Sequence, residues 1–89
     1  MKQLDHKLSA MILSDDKVEV KIEKEKIRLM EKINKALSKK KYSNFTQDEI
    51  AAAIGCSQPR VSNIKKFKTK VFSVERLLKI CYTLKIHGV

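Results

Sequence analysis

Two helix-start signals lie eleven residues apart in this chain, at Thr46 and Ser57, with a glycine between them at Gly55. The first is Thr46 with Glu49 three residues on, the pattern of a capping box. Phe45, just before the cap, is placed to pack on Ile50 as a hydrophobic staple. The helix this predicts runs to Ile54 and stops at Gly55, where a left-handed residue suits glycine. Ser57 then caps another helix at once, and Pro59 falls in its first turn, where a missing N–H costs little. That helix continues through Val61 and Ile64 to about Lys66. Two helices this short cannot bury an apolar face alone, so they must lock against each other. Ile50, Ile54, Cys56, Val61 and Ile64 are the residues expected to point inward. Ala51 has to be small, because the second of these helices crosses close to it.

Helical patterning continues on both sides. From Glu23 to Lys39, Ile27, Met30, Ile33 or Asn34, and Leu37 form one stripe, widened by Leu29 and Ala36. Glu31 and Lys35 are an i,i+4 pair in the favourable order. Lys39-Lys40-Lys41 ends the helix where cations suit its dipole, and Tyr42-Ser43-Asn44 reads as a loop. Phe67 to Phe72 is a basic loop. Ser73 caps a last helix with Val74, Leu77, Leu78, Cys81 and Leu84 as its apolar face. The main helices are thus expected near 23–40, 46–55, 57–66 and 73–85. Ile86 to Val89 reads as a frayed end or a short strand.

The first 22 residues are ambiguous. Leu4, Leu8, Met11 and Ile12 have the spacing of a short amphipathic helix. Val18, Val20 and Ile22 alternate with Glu19 and Lys21 as a strand would, and Met11-Ile12-Leu13 with Ser14-Asp15-Asp16 could be the other arm and turn of a hairpin. The competing reading starts a helix at Asp16, with Glu19 three residues on as a capping box; we favour a helix that starts between Lys17 and Lys24. The chain divides into an extension over 1–22, a possible dimer or partner contact, and one small helical domain over 23–89.

With 89 residues there is room for one domain and a marginal core, which dimerisation would help. The net charge is +10, and its distribution says more than its sum. Segment by segment it runs −1 over 1–16, +6 over 17–41, −2 over 42–56, +5 over 57–70 and +2 over 71–89. Two basic blocks therefore flank a mildly acidic one, a field that attracts polyanions, nucleic acid first and an anionic membrane surface second. The lysines at 39–41 read more readily as a solvated surface than those at 65–70, which adjoin the Ser57–Lys66 helix.

Two short helices joined by a glycine-containing turn are the minimal helix-turn-helix. Once Val61 and Ile64 face inward, Ser57, Gln58, Arg60, Ser62, Asn63 and Lys66 face out. Gln and Asn can pair bidentately with adenine, Arg with guanine, and Ser with several base edges. Gln47, opening the preceding helix, can offer its amide and backbone N–H to a phosphate.

Phe45-Thr46-Gln47-Asp48-Glu49-Ile50-Ala51, Gly55-Cys56-Ser57-Gln58-Pro59-Arg60-Val61-Ser62-Asn63-Ile64 and Phe72-Ser73-Val74-Glu75-Arg76-Leu77-Leu78 together resemble the Xre-type, lambda-repressor-like helix-turn-helix family, over about residues 25–86. The flavour is that of its compact branch with HigA-like antitoxins. The resemblance implies an all-α, compact domain of four to five helices. It implies a homodimeric regulator of transcription, most simply a repressor on double-stranded DNA, or an antitoxin that also covers a toxin protein; the cysteine usage and the lack of a signal-like apolar run set a reducing, cytoplasmic location as the default expectation. It implies base contacts from Gln58, Pro59, Arg60, Ser62 and Asn63. Phosphate contacts are expected from Gln47, Ser57, Lys65, Lys66, Lys68 and Lys70. Residues 1–22 have no counterpart in the pattern.

Other chemistry finds little support. Cys56 and Cys81 stand in no C-x-x-C and read as small core residues. His6 and His87 have no ligand spacing around them, so neither a metal nor a cofactor is expected. Asp48 and Glu49 are neighbours at a helix start, where the dipole explains them. Ser57 and Ser62 have no general base in view, so no enzyme is expected. The longest N-terminal apolar run, Ala10 to Leu13, is far too short for a membrane span or a signal peptide. The Glu residues spread through Lys17 to Lys41 argue against a membrane-surface helix.

Overall fold

A computed structural model describes residues 15–89 of the chain. Four α-helices follow one another: α1 (Asp15–Leu37), α2 (Gln47–Ile54), α3 (Gln58–Lys65) and α4 (Val74–Thr83). One-turn 3-10 helices sit between them at Lys40–Tyr42 and Thr69–Val71. The described residues contain no strand. The helix anticipated over Leu4 to Ile12, and the Met11–Leu13 arm of the alternative hairpin, lie outside the described residues.

The alternation at Val18, Val20 and Ile22 is helical, not extended, and α1 passes without a break through residues 22 and 23. A helix closes its own backbone hydrogen bonds, whereas a two-stranded ribbon is marginal in water. Successive members of the alternating set lie about 200° apart on a helix, so they cannot share one face. Val18, Val20 and Ile22 accordingly remain 47%, 52% and 42% exposed.

The core is drawn from every helix: Leu29, Met30, Ile33 and Leu37 of α1, Ile50, Ala51 and Ile54 of α2, Val61 and Ile64 of α3, and Leu77, Ile80 and Cys81 of α4, closed by Phe72. Helix α1 is the spine, packing on both α3 and α4. Three expectations need correction. Ile27 is not in the stripe but 38% exposed, since the buried arc centres on Leu29, Met30 and Ile33. In α4, Ile80 is 1% exposed and central, while Val74, Leu78 and Leu84 sit at the margin. Helix α1 also starts at Asp15 and ends at Leu37, both earlier than expected. Lys39 to Lys41 therefore lie beyond it, in and beside the first 3-10 turn, which brings the half-buried Tyr42 ring against the core.

Three helices close in the same way. Gly55 takes φ 70°, its N–H donating to the Ala52 carbonyl at 3.4 Å while the Cys56 N–H donates to Ala51 at 2.9 Å. After α3, Phe67 takes φ 56°, with its N–H on Ile64 at 3.1 Å and the Lys68 N–H on Asn63 at 2.9 Å. After α4, Lys85 takes φ 56°, with its N–H on Tyr82 at 3.0 Å and the Ile86 N–H on Cys81 at 2.9 Å. Each is a Schellman closure that satisfies carbonyls the helix leaves open. The last one turns Ile86 and Val89 back onto the core, so the tail is neither a strand nor detached.

Candidate nucleic-acid interface

The α2–α3 unit is held by caps at its start and its corner. Thr46 accepts from the Glu49 N–H at 3.2 Å, and the Glu49 carboxylate accepts from the Thr46 N–H at 3.1 Å. This is the expected capping box, and it uses up Glu49. Phe45 sets its ring edge-on to Tyr42, with centroids 5.4 Å apart. At the corner, the Arg76 guanidinium donates to the Gly55 carbonyl and reaches the Cys56 sulfur at 3.6 Å. Helix α4 thereby latches the turn, a role no local pattern around Arg76 announced. Cys56 is half-buried and Cys81 fully buried. Burial pushes the Cys81 thiol up, and Arg28 and Lys32 offset this only in part.

Ser57 occupies the N-cap of α3, but its hydroxyl makes no capping bond. Its carbonyl carries the first turn instead, accepting from Arg60 at 3.0 Å and Val61 at 3.1 Å. The expected side-chain cap is therefore absent, consistent with Pro59 replacing one of the N–H groups such a cap serves. The Ser57 hydroxyl is exposed and uncommitted.

Burial of Val61 and Ile64 fixes how α3 is rotated. At about 100° per residue, Pro59, Ser62, Asn63 and Lys66 lie on the opposite side of the helix. Gln58 and Arg60 fall on its two edges. Both edges are occupied. On one, the Gln58 amide nitrogen donates to the Gln47 side-chain oxygen at 2.5 Å, joining the start of α3 to the start of α2. On the other, Arg60 donates to the Val71 carbonyl and lies over the Phe72 ring, 5.5 Å from its centroid. Arg60 is thus committed to the loop after α3. Ser62 and Asn63 are half-buried, while Gln58, Pro59 and Arg60 are exposed.

The loop that receives Arg60 is ordered by α1. The Thr69 hydroxyl donates to Glu23, and Lys26 reaches the Thr69 carbonyl at 3.4 Å. Thr69, 6% exposed, is the buried pin of a segment whose composition reads as a solvated basic loop. Its partner Glu23 is 46 residues away, so no local signal pointed to it. Lys65, Lys66, Lys68 and Lys70 all remain exposed around this loop. The other end of α3 is clamped by Asn34, whose amide donates to the Ile64 carbonyl at 3.1 Å.

The assembled surface is an outward helix face between two shoulders. One is the start of α2 with Gln47. The other is the pinned loop with Lys68 and Lys70. Between residues 57 and 70 there are five cations and no acid. The described residues include no His, Cys, Asp and Glu grouping able to hold a metal ion, and no helix long and apolar enough to cross a membrane. One family model, described as a helix-turn-helix domain, matches residues 13–86, most of the chain. No curated protein and no solved structure matches it.

Proposed function

The chain belongs to the helix-turn-helix domain family, and on that premise we propose that it is a sequence-specific regulator that binds double-stranded DNA through α3. The observation that carries this reading is the Gln47–Gln58 bridge beneath an otherwise outward polar face. A glutamine amide has two donor hydrogens and an acceptor oxygen. The bond to Gln47 uses one donor. One donor and the acceptor remain, the pair that adenine presents partners for through N7 and N6. Gln47, accepting through its oxygen, keeps its own amide hydrogens for a phosphate. A phosphate, Gln47, Gln58 and a base then form one chain of contacts, with Gln58 held in place before DNA arrives.

Pro59, Ser62 and Asn63 complete the base-facing set. Arg60 reaches a base only if it leaves the Val71 carbonyl; in place, it orients the loop. Ser57, Lys65, Lys66, Lys68 and Lys70 supply phosphate contacts on either side. Within the family we place the chain with the Xre-type, lambda-repressor-like branch, acting in the cytoplasm as a homodimeric repressor that blocks polymerase by occupying a promoter, its own among them. It acts by binding alone, without catalysis or cofactor. Exposed apolar side chains on the first half of α1, Val18, Val20, Ile22 and Ile27, support a protein partner there, a second copy first. The same exposure favours the second reading, an antitoxin of the HigA-like kind whose α1 also covers a toxin.

Selection of duplexes from a random pool, followed by footprinting of the winner, tests the proposal. Enrichment of an inverted repeat with half-sites about ten base pairs apart is the expected result for a dimer. A pool that stays random after repeated rounds contradicts sequence-specific binding.

A further inference from the structure

A second basic surface lies away from α3. The end of α1, the first 3-10 turn and the C-terminal tail enclose a groove of about 450 Å³. Its rim carries Lys32, Lys35, Lys39, Lys41 and Lys85 with His87, and its floor is Ala36, Tyr42, Leu84 and Ile86. No acid lines it. Among the described residues the ion pairs are Glu25 with Arg28 and Glu75 with Lys79, so none of these five lysines is neutralised. The nearest α1 acid is Glu31, in the adjoining hollow with Arg28, Lys32 and Lys35.

This groove is not a continuation of the α3 face. Asn34 marks the side of α1 that holds α3. Lys32 and Lys35 lie roughly 100–160° around the helix from it, and Lys39 follows the helix end in extended backbone. Lys32 and Lys35 therefore do not belong to the side of α1 that backs α3. Five unpaired cations converging on one concavity repel each other, a cost that a bound anion removes. The size is that of a small-molecule pocket rather than of a macromolecular interface. A cationic rim over an apolar floor suits a ligand with a planar or apolar body and several phosphates.

We propose that the groove between the end of α1 and the C-terminal tail binds a nucleotide-type phosphorylated metabolite, phosphates on the lysines and the flat body on Ala36, Leu84 and Ile86, since the Lys41 ammonium already lies over the Tyr42 ring. Such a ligand bridges α1 and the tail, and gives the protein a second, small-molecule input separate from DNA.

Calorimetry on the full chain at low salt, with ATP, inorganic tripolyphosphate and adenosine as probes, tests this. ATP should saturate one site per chain. Tripolyphosphate should bind roughly tenfold or more weakly, because it lacks the body that stacks on the floor. Lys32→Gln combined with Lys35→Gln should weaken ATP binding at least tenfold, while duplex affinity at about 0.15 M salt, where charges are screened beyond about 8 Å, changes less than about threefold, since neither residue belongs to the α3 surface. Lys85→Glu, on the tail, should weaken ATP binding independently, and thermal melts establish that both variants fold. Three outcomes overturn the proposal: no saturable binding of ATP, equal affinity for ATP and tripolyphosphate, or displacement of ATP by duplex DNA, which would make the groove part of the DNA surface. A chain that binds ATP but no duplex would instead refute the DNA reading alone.

Discussion

At the scale of single residues, the three left-handed positions that close helices, Gly55, Phe67 and Lys85, carry different side chains, and their costs should differ accordingly. A Cβ at Gly55 would meet nothing within 4 Å, so the penalty for substitution there is backbone strain alone. Gly55→Val should destabilise the protein by more than about 1 kcal/mol, read as a loss in chemical denaturation. Lys85 already bears that strain at φ 56°. Lys85→Gly should therefore be neutral or stabilising, by up to about 1 kcal/mol once the added freedom of the unfolded chain is offset. A stability loss for both variants would contradict the assigned turns. The cysteines offer a second check. Cys81 is buried with its thiol pushed up by desolvation, whereas Cys56 is half-buried beside the Arg76 guanidinium. Thiol labelling of the native chain at neutral pH should modify Cys56 first. Faster labelling of Cys81 would mean that α4 opens readily.

At the scale of elements, the α2–α3 unit was legible because its determinants are local. Thr46 and Glu49, Gly55, and the inward spacing of Val61 and Ile64 all act within one or two turns of chain. What escaped was long-range or competitive. Ser57 stands at the N-cap without a side-chain bond, its carbonyl instead accepting from the Arg60 N–H that a cap would take. Arg60 has the chemistry to read guanine, but a carbonyl and an aromatic ring on the following loop compete for it. The Thr69 pin to Glu23 depends on α1 running alongside the loop, which no window of sequence contains. The ambiguity at Val18 to Ile22 arose because alternation over so few residues fits either period when charges fill the gaps. Thr69→Val tests whether the loop is an element in its own right. It removes the hydroxyl that meets Glu23 and should cost about 1–3 kcal/mol if the carboxylate is left without a partner. It should also weaken duplex binding, because Lys68 and Lys70 lose their fixed place. Unchanged stability and binding would show that the pin is not needed.

At the scale of the whole molecule, the fold builds one continuous polar surface from α2, α3 and the loop after α3, supported from behind by α1 and α4. On the proposed function, charge provides attraction and α3 provides selection, and the two separate under salt. Log affinity for any duplex should fall linearly with log salt, by about 0.9 per phosphate neutralised. Lys68→Ala should make that slope shallower by up to about one unit and weaken all sequences alike. The central claim is that Gln58, held by Gln47, reads a base rather than merely touching DNA. The decisive measurement titrates the wild-type chain, Gln58→Ala and Lys68→Ala against a selected duplex and its scrambled counterpart at one fixed salt concentration. We expect Gln58→Ala to lose about 1–3 kcal/mol on the selected duplex and little on the scrambled one, while Lys68→Ala loses equally on both. An unchanged ratio between the two duplexes for Gln58→Ala would reduce the Gln47–Gln58 bond to a helix-joining contact and contradict the account.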